Sequence, residues 1–281
     1  MNKACAIGTA LAFAASGCQL AAKEGPNILY GPNEAQQAET YVAPIEDTFF
    51  NQCHDGEYDF DSRCIDFTQG YVQDAKNGVY LFNKTIEVNM FGMIGEQDLE
   101  GICSSFLLED GLLLTAGHCE AAEPPLPPFA TVTGAEYSIT HEGKRYELEK
   151  IATGGDVDVA LFRVKNPEGL PYLPFALGDT DKITEGNVVY LFGYTGLSDV
   201  NVRDGIVGVK EDTSTESPEA TGGYFEITNG ADHGDSGGLV IGFRDGIPEI
   251  LGVLCYRYNH HRGGTLKLGT IPEEIMRHLR K

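Results

Sequence analysis

Residues 111–119 read GLLLTAGHC. Leu112 to Leu114 make a short apolar run, and a glycine frees the backbone immediately before His118 and Cys119. A buried helix would need a longer stretch at a period of 3.6 residues, so the run predicts a strand that delivers a histidine at its end. The same short grain recurs outward from it in TIEVNMF, KRYELEKI, DVALFRV, NVVYLFGY, GIVGVK, YFEIT, GGLVIGF and EILGVLCY, each bounded by turn residues. Such runs predict an all-β sandwich or barrel from about residue 78 onward. One segment breaks the series: NPEGLPYLPFALGD carries Pro167, Pro171 and Pro174 and cannot be a central strand. It predicts a linker between two β units, one over about 78–166 and the other over about 175–270. Only the C-terminal end reads as a helix, over about 272–280. There Pro272 suits the first position, Glu273 and Glu274 favour the N-terminal dipole, and Ile275 pairs with Leu279.

Chemistry gathers at three places. A serine hydroxyl is a poor nucleophile near neutral pH; it needs a base for its proton and donors for the oxyanion that follows. His118 ends its strand beside a cysteine, DVDVALFRV supplies Asp156 and Asp158, and NGADHGDSGG, residues 229–238, supplies Ser236. The glycines around Ser236 let the backbone turn so that the amides of Gly234 and Ser236 can converge on one point.

In the order His, Asp, Ser, the motifs TAGHC, DVAL and GDSGG resemble those of the trypsin and chymotrypsin family of serine endopeptidases. The likeness spans roughly residues 79–281. It implies an all-β fold of two packed antiparallel barrels of the chymotrypsin type with a short C-terminal helix, and a His118–Asp158–Ser236 triad acting through an acyl-enzyme. Asp158 is favoured over Asp156 because it directly precedes the aliphatic run, as the family's buried aspartate does. Gly234 and Ser236 would form the oxyanion hole, and Cys103 and Cys119 would bridge beside the histidine. The resemblance also places Gly230, His233 and Arg257 around the substrate.

The sequence departs from the family in two respects. Members that cut after Lys or Arg carry an aspartate six residues before the nucleophile, where this chain has Gly230. Asp232 stands where a cysteine is usual, and Arg257, where glycine is usual, is expected to point to solvent. Vertebrate members also bind a freshly cut N-terminal amine to the aspartate before the serine, here Asp235. No such N-terminal motif is present, so Asp235 is expected to find an internal basic partner.

The first 22 residues read as an address. Lys3, the apolar or small run Ala4–Gly17 and AASGC resemble a bacterial lipoprotein signal lipidated at Cys18; an ordinary secretory signal cut near Ala22 is the alternative. Either predicts an exported protein, secreted or held at the cell envelope by an N-terminal lipid alone. Residues 23–77 read as an extension with a disulfide loop, Cys53 with Cys64, whose acidic run is expected to be solvated, and Cys255 as a buried thiol. A net charge of −22 over 281 residues leaves no basic footprint for nucleic acid. Neither a cofactor nor a metal is expected: His260 and His261 are adjacent, and HEGKR at His141 is no zinc motif. Protein or peptide substrates are the expected partners. A catalytically silent binding or adhesion protein on the same fold, or an esterase using the same triad, is the competing reading.

Overall fold

The computed structural model describes residues 52–123, 125–197, 199–211 and 223–280. The export segment and Cys18 lie outside the described residues.

Of the thirteen strands among the described residues, twelve build two barrels. The first comprises β1 (Val79–Met90), β2 (Met93–Leu107), β3 (Leu112–Thr115), β4 (Ala130–His141), β5 (Lys144–Thr153) and β6 (Ala160–Val164). They close in the order β1-β2-β3-β6-β5-β4, all neighbours antiparallel. Alternation decides which side chains enter: along β1, Phe82, Ile86 and Val88 are buried and Glu87 is exposed. Phe82, Tyr137 and Phe162 fill the interior with ring centroids 5.0–5.9 Å apart. Each such burial contributes about 1.5–3 kcal/mol.

The second barrel comprises β8 (Val188–Gly193), β9 (Asn201–Val209), β10 (Tyr224–Ile227), β11 (Leu239–Arg244), β12 (Ile247–Asn259) and β13 (Arg262–Lys267). Their order is β11-β8-β9-β10-β13-β12, and pairing of β11 with β12 closes the ring. This is the chymotrypsin-like fold. The proline-rich connection runs between the barrels, with Leu170 and Leu173 buried. It contributes only a two-residue strand, β7 (Ala176–Leu177), parallel to β12.

Helix is scarce. Beside the C-terminal α3 (Glu273–Leu279), the described residues include the α-helix α1 (Tyr71–Asn77) and the single turn α2 (Gly117–Ala121), neither of which periodicity predicts. At five and seven residues they are too short to show a 3.6-residue pattern.

The N-terminal extension departs from the solvated loop expected. Cys53 and Cys64 are bonded, with Cα atoms 5.2 Å apart, but Tyr58 and Asp59 between them are buried against the second barrel. Tyr58 donates to Glu249 at 2.5 Å and lies beneath the Arg244 guanidinium, 4.6 Å from its ring centroid. The Asp59 amide donates to the Phe243 carbonyl, and the Val188 amide to the Asp59 carbonyl, both at 2.8 Å. An aromatic ring and two backbone bonds thus clasp this stretch to the edge formed by β8 and β11. Its exposed acids flank the clasp.

Candidate active site

The single turn α2 holds His118 where β3 ends. Gly117 is required there, since a β-carbon would stand 2.9 Å from the Val159 amide nitrogen and 3.1 Å from Asp158 Oδ1. Lys84, buried on β1, donates to the carbonyls of Glu120 and Ala122 at 2.7 and 2.8 Å and ties down the exit from the turn. Burial lowers the pKa of its ammonium. Cys103 and Cys119 are bonded beside the histidine, with Cα atoms 6.1 Å apart.

Asp158, just ahead of β6, accepts twice from His118: the backbone amide donates to Oδ1 at 2.6 Å, and Nδ1 lies 2.8 Å from Oδ2. An ionised carboxylate can only accept, so Nδ1 carries the proton and Nε2 keeps a lone pair. The Asp158 side chain is 8% exposed, whereas Asp156 is exposed and bonds to no part of His118. The Asp158 amide donates to the Tyr224 hydroxyl of the second barrel at 3.3 Å.

Ser236 comes from the second barrel, on a turn that only glycine can flank. Gly234 and Gly237 have φ of 95° and 81°. A β-carbon on Gly237 would run into the Ser104 carbonyl oxygen and the Thr115 hydroxyl. Ser104, on β2, pins this turn from the opposite barrel. Its hydroxyl donates to the Gly234 carbonyl and its amide to the Ser236 carbonyl, both at 2.7 Å. With both carbonyls captured, the amides of Gly234 and Ser236 donate to no group among the described residues. They are available as an oxyanion-binding pair. Ser236 Oγ makes no hydrogen bond to His118 here, but both line one cleft of about 420 Å³ with Gly234, His233, Asp232 and Arg257. Such a bond commonly tightens only when substrate is bound.

Asp235 is fully buried. It accepts from Thr195 Oγ1 at 2.8 Å and the Asp232 amide at 2.7 Å, and pairs with Arg203 of β9 at 2.5 Å. Arg203 Nε and Nη2 have no aligned hydrogen-bond acceptor, so the contact is an end-on ion pair. The internal basic partner of Asp235 is Arg203.

Around the cleft, Gly230 has φ of 68°, and a β-carbon there would strike the His260 carbonyl. His233 is exposed at the rim. Arg257 does not run free into solvent as expected; it pairs with Asp232 at 2.6 Å. The Asp232 carboxyl is held below the usual range, first by the His233 amide and then by Arg257. A second groove of about 680 Å³ continues past His118 and Asp158 to Tyr256 and Arg257. Cys255 is buried and its thiol donates to the Asp158 carbonyl at 3.2 Å. Burial, then the negative charge of Asp158, pushes its pKa well up, which suits an inert thiol. One group among the described residues, Cys103, His118 and Cys119, has metal-ligand spacing, but its two sulfurs are joined to each other and are not thiolates.

The fold is that of the two-barrel serine peptidases. Residues 103–247 match the trypsin-like peptidase domain, a span that contains His118, Asp158 and Ser236. The chain belongs to that family, and with it to the serine protease hydrolases. The structure is similar to that of the HtrA-type protease AlgW with a decapeptide, at 15% identity and a TM-score of 0.58 over 77% of this chain and 68% of that one. AlgW with a tripeptide is similar at 16% and 0.53, over 75% and 62%. An inactive form of Rv3671c from M. tuberculosis H37Rv, a serine-to-alanine mutant, is similar at 17% and 0.50, over 77% and 93%. At these identities the likeness concerns the fold. The chain has no significant match among curated protein sequences.

Proposed function

We propose that this chain is an exported endopeptidase that cleaves peptide bonds through an acyl-enzyme formed on Ser236. The observation that carries the reading is the bidentate embrace of His118 by Asp158, which presents the Nε2 lone pair to the cleft holding Ser236. His118 takes the hydroxyl proton as Ser236 attacks the carbonyl; Asp158 keeps the imidazole in its tautomer and stabilises the imidazolium. The amides of Gly234 and Ser236 bind the oxyanion. Proton return from His118 releases the amine, and water discharges the acyl group. The Arg203–Asp235 pair supports an enzyme competent without a cleavage that frees a new N-terminus.

Gly230 stands six residues before Ser236, where members that cut after Lys or Arg carry an aspartate, and Asp232 is paired with Arg257, so cleavage after Lys or Arg lacks its usual partner. Two disulfides suit an oxidising compartment, in keeping with export and with Cys18 as a lipid anchor. The mass of the mature N-terminus tests that part.

Profiling a diverse peptide library with the intact protein tests the activity. Ser236→Ala is expected to lower turnover by on the order of 10⁴ to 10⁶, and Asp158→Asn, which favours the wrong tautomer, by about 10⁴. A Ser236→Ala protein that retained its rate would overturn the assignment. Ester turnover without peptide turnover would make it an esterase, and absence of both would favour the binding protein.

A further inference from the structure

The β1–β2 hairpin is longer than the barrel it belongs to. β3 pairs with β2 only at Phe106 and Leu107, whereas β1 follows β2 out to the Met90–Met93 pair. The two turn residues, Phe91 and Gly92, both have positive φ, the geometry of a tight type I′ hairpin. Residues 93–98 therefore have a strand on one side and, among the described residues, none on the other. Their side chains are all exposed. Such an edge offers a row of backbone donors and acceptors, and this one, MIGEQD, carries neither the lysine nor the proline that commonly blunts an edge.

Two further features say what fits it. The tip is apolar: Phe91, Met93 and Ile94 are 77%, 69% and 68% exposed, and Phe91 stacks on Phe129 with centroids 4.6 Å apart. Below the tip one face is acidic. Glu87 sits directly opposite Glu96, and the next row places Asp98 and Glu136 on either side of Thr85. Arg145 reaches this face and donates to Thr85 Oγ1 at 3.1 Å, while Thr85 Oγ1 itself donates to Asp98 at 2.7 Å. A second copy of the chain would set acid against acid along the edge, and anionic lipid would be repelled likewise. An extended segment bearing apolar and basic residues would not.

The edge also leads to the chemistry. β2 runs from the tip to Cys103, which lines the Ser236 cleft, and to Ser104, whose amide bonds to Ser236. Every neighbouring pair in this barrel is antiparallel. A strand added in that sense to β2 leaves the cleft in its own N-to-C direction, so the docked residues are those downstream of the scissile bond. Nine residues separate Cys103 from Ile94, or roughly 30 Å of extended chain.

Resting on the serine-protease reading above, we propose that the free edge of β2 over residues 93–98 is an exosite. It takes the downstream part of a basic, extended polypeptide substrate as an added antiparallel strand.

The test compares peptides with the same cleavage sequence and either about three or about twelve downstream residues, the longer ending in Val-Lys or Val-Glu repeats. With the intact protein, kcat/KM for the long Val-Lys peptide is expected to exceed that for the short one by about tenfold or more, mainly through KM. The advantage should shrink as salt rises. In Glu96→Lys/Asp98→Lys the ratio should fall toward one for Val-Lys and rise for Val-Glu, a reversal that misfolding does not produce. A ratio near one in the unmodified protein, or a ratio that charge reversal leaves unmoved, would overturn the exosite while leaving the protease reading intact. No turnover of any peptide would overturn both. A ratio near one together with Phe91-dependent flotation on phosphatidylcholine vesicles would assign the tip to a membrane instead.

Discussion

Replacing Arg203 with methionine removes, among the described residues, the one cation paired with the fully buried Asp235 carboxylate, and the structure sets the scale of the effect. Asp235 would keep its bonds from Thr195 and the Asp232 amide, both neutral donors, and lose the charge that offsets its desolvation. Breaking a buried pair from one side costs about 3–5 kcal/mol, a large part of the ~5–15 kcal/mol that holds a typical domain folded. Because Asp235 also fixes the turn from Asp232 to Ser236, kcat should fall with stability. The chain has no tryptophan, so urea unfolding is best followed by far-UV circular dichroism. Two companions isolate the cause. Arg203→Lys should keep most of the stability, since the contact is end-on and does not use the guanidinium fork. Arg203→Met with Asp235→Asn, which removes the charge but leaves an acceptor, should recover to within about 1 kcal/mol of the parent. An Arg203→Met protein with parental stability and kcat would refute the reasoning, because the carboxylate would then need no internal cation.

Other perturbations follow from single sites. Gly237→Ala combines a positive φ, about 1–2 kcal/mol for an L-residue, with collision against the backbone of Ser104, so unfolding experiments should show a loss of ~2 kcal/mol or more and activity should vanish. Burial is the chief cause that pushes the Asp59 carboxyl up from 3.8 to about 6. Its protonated form is the one the fold favours. The contribution of this residue is therefore intact below about pH 4 and lost as pH rises through about 6, a swing of roughly 3 kcal/mol. Asp59→Asn should remove that swing, which denaturation at pH 4.5 and 7.5 would reveal; equal pH dependence in both proteins would contradict it.

The parts of this molecule that obey local rules are readable in its sequence. Short apolar runs gave away the strands, and Pro167, Pro171 and Pro174 marked the link between barrels. His118, Asp158 and Ser236 stood out because their surroundings, a strand end, an aliphatic run and a glycine turn, are what such residues need locally. What escaped depends on long-range partners. Arg203 sits in NVRDG, where a strand charge usually faces water, and its meeting with Asp235 is set by barrel closure. Ser104 is one of two adjacent serines with nothing local to mark it. Tyr58 and Asp59 lie in a polar, acidic stretch whose receptors, Phe243, Arg244 and Glu249, are more than 180 residues away. α1 is two turns long, and a pattern needs more than that to declare itself.

Ser104 has one more bearing on how the enzyme lives and dies. Its two bonds stitch the turn that carries Ser236 to the opposite barrel, so the two halves share a seam that contains the proposed nucleophile itself. A rise in temperature or denaturant that lets the barrels slip only slightly would displace the amides of Gly234 and Ser236 before either barrel melts. Inactivation should therefore run ahead of unfolding. In the growing chain, the reactive centre can be finished only when the second barrel closes on a first that is already in place.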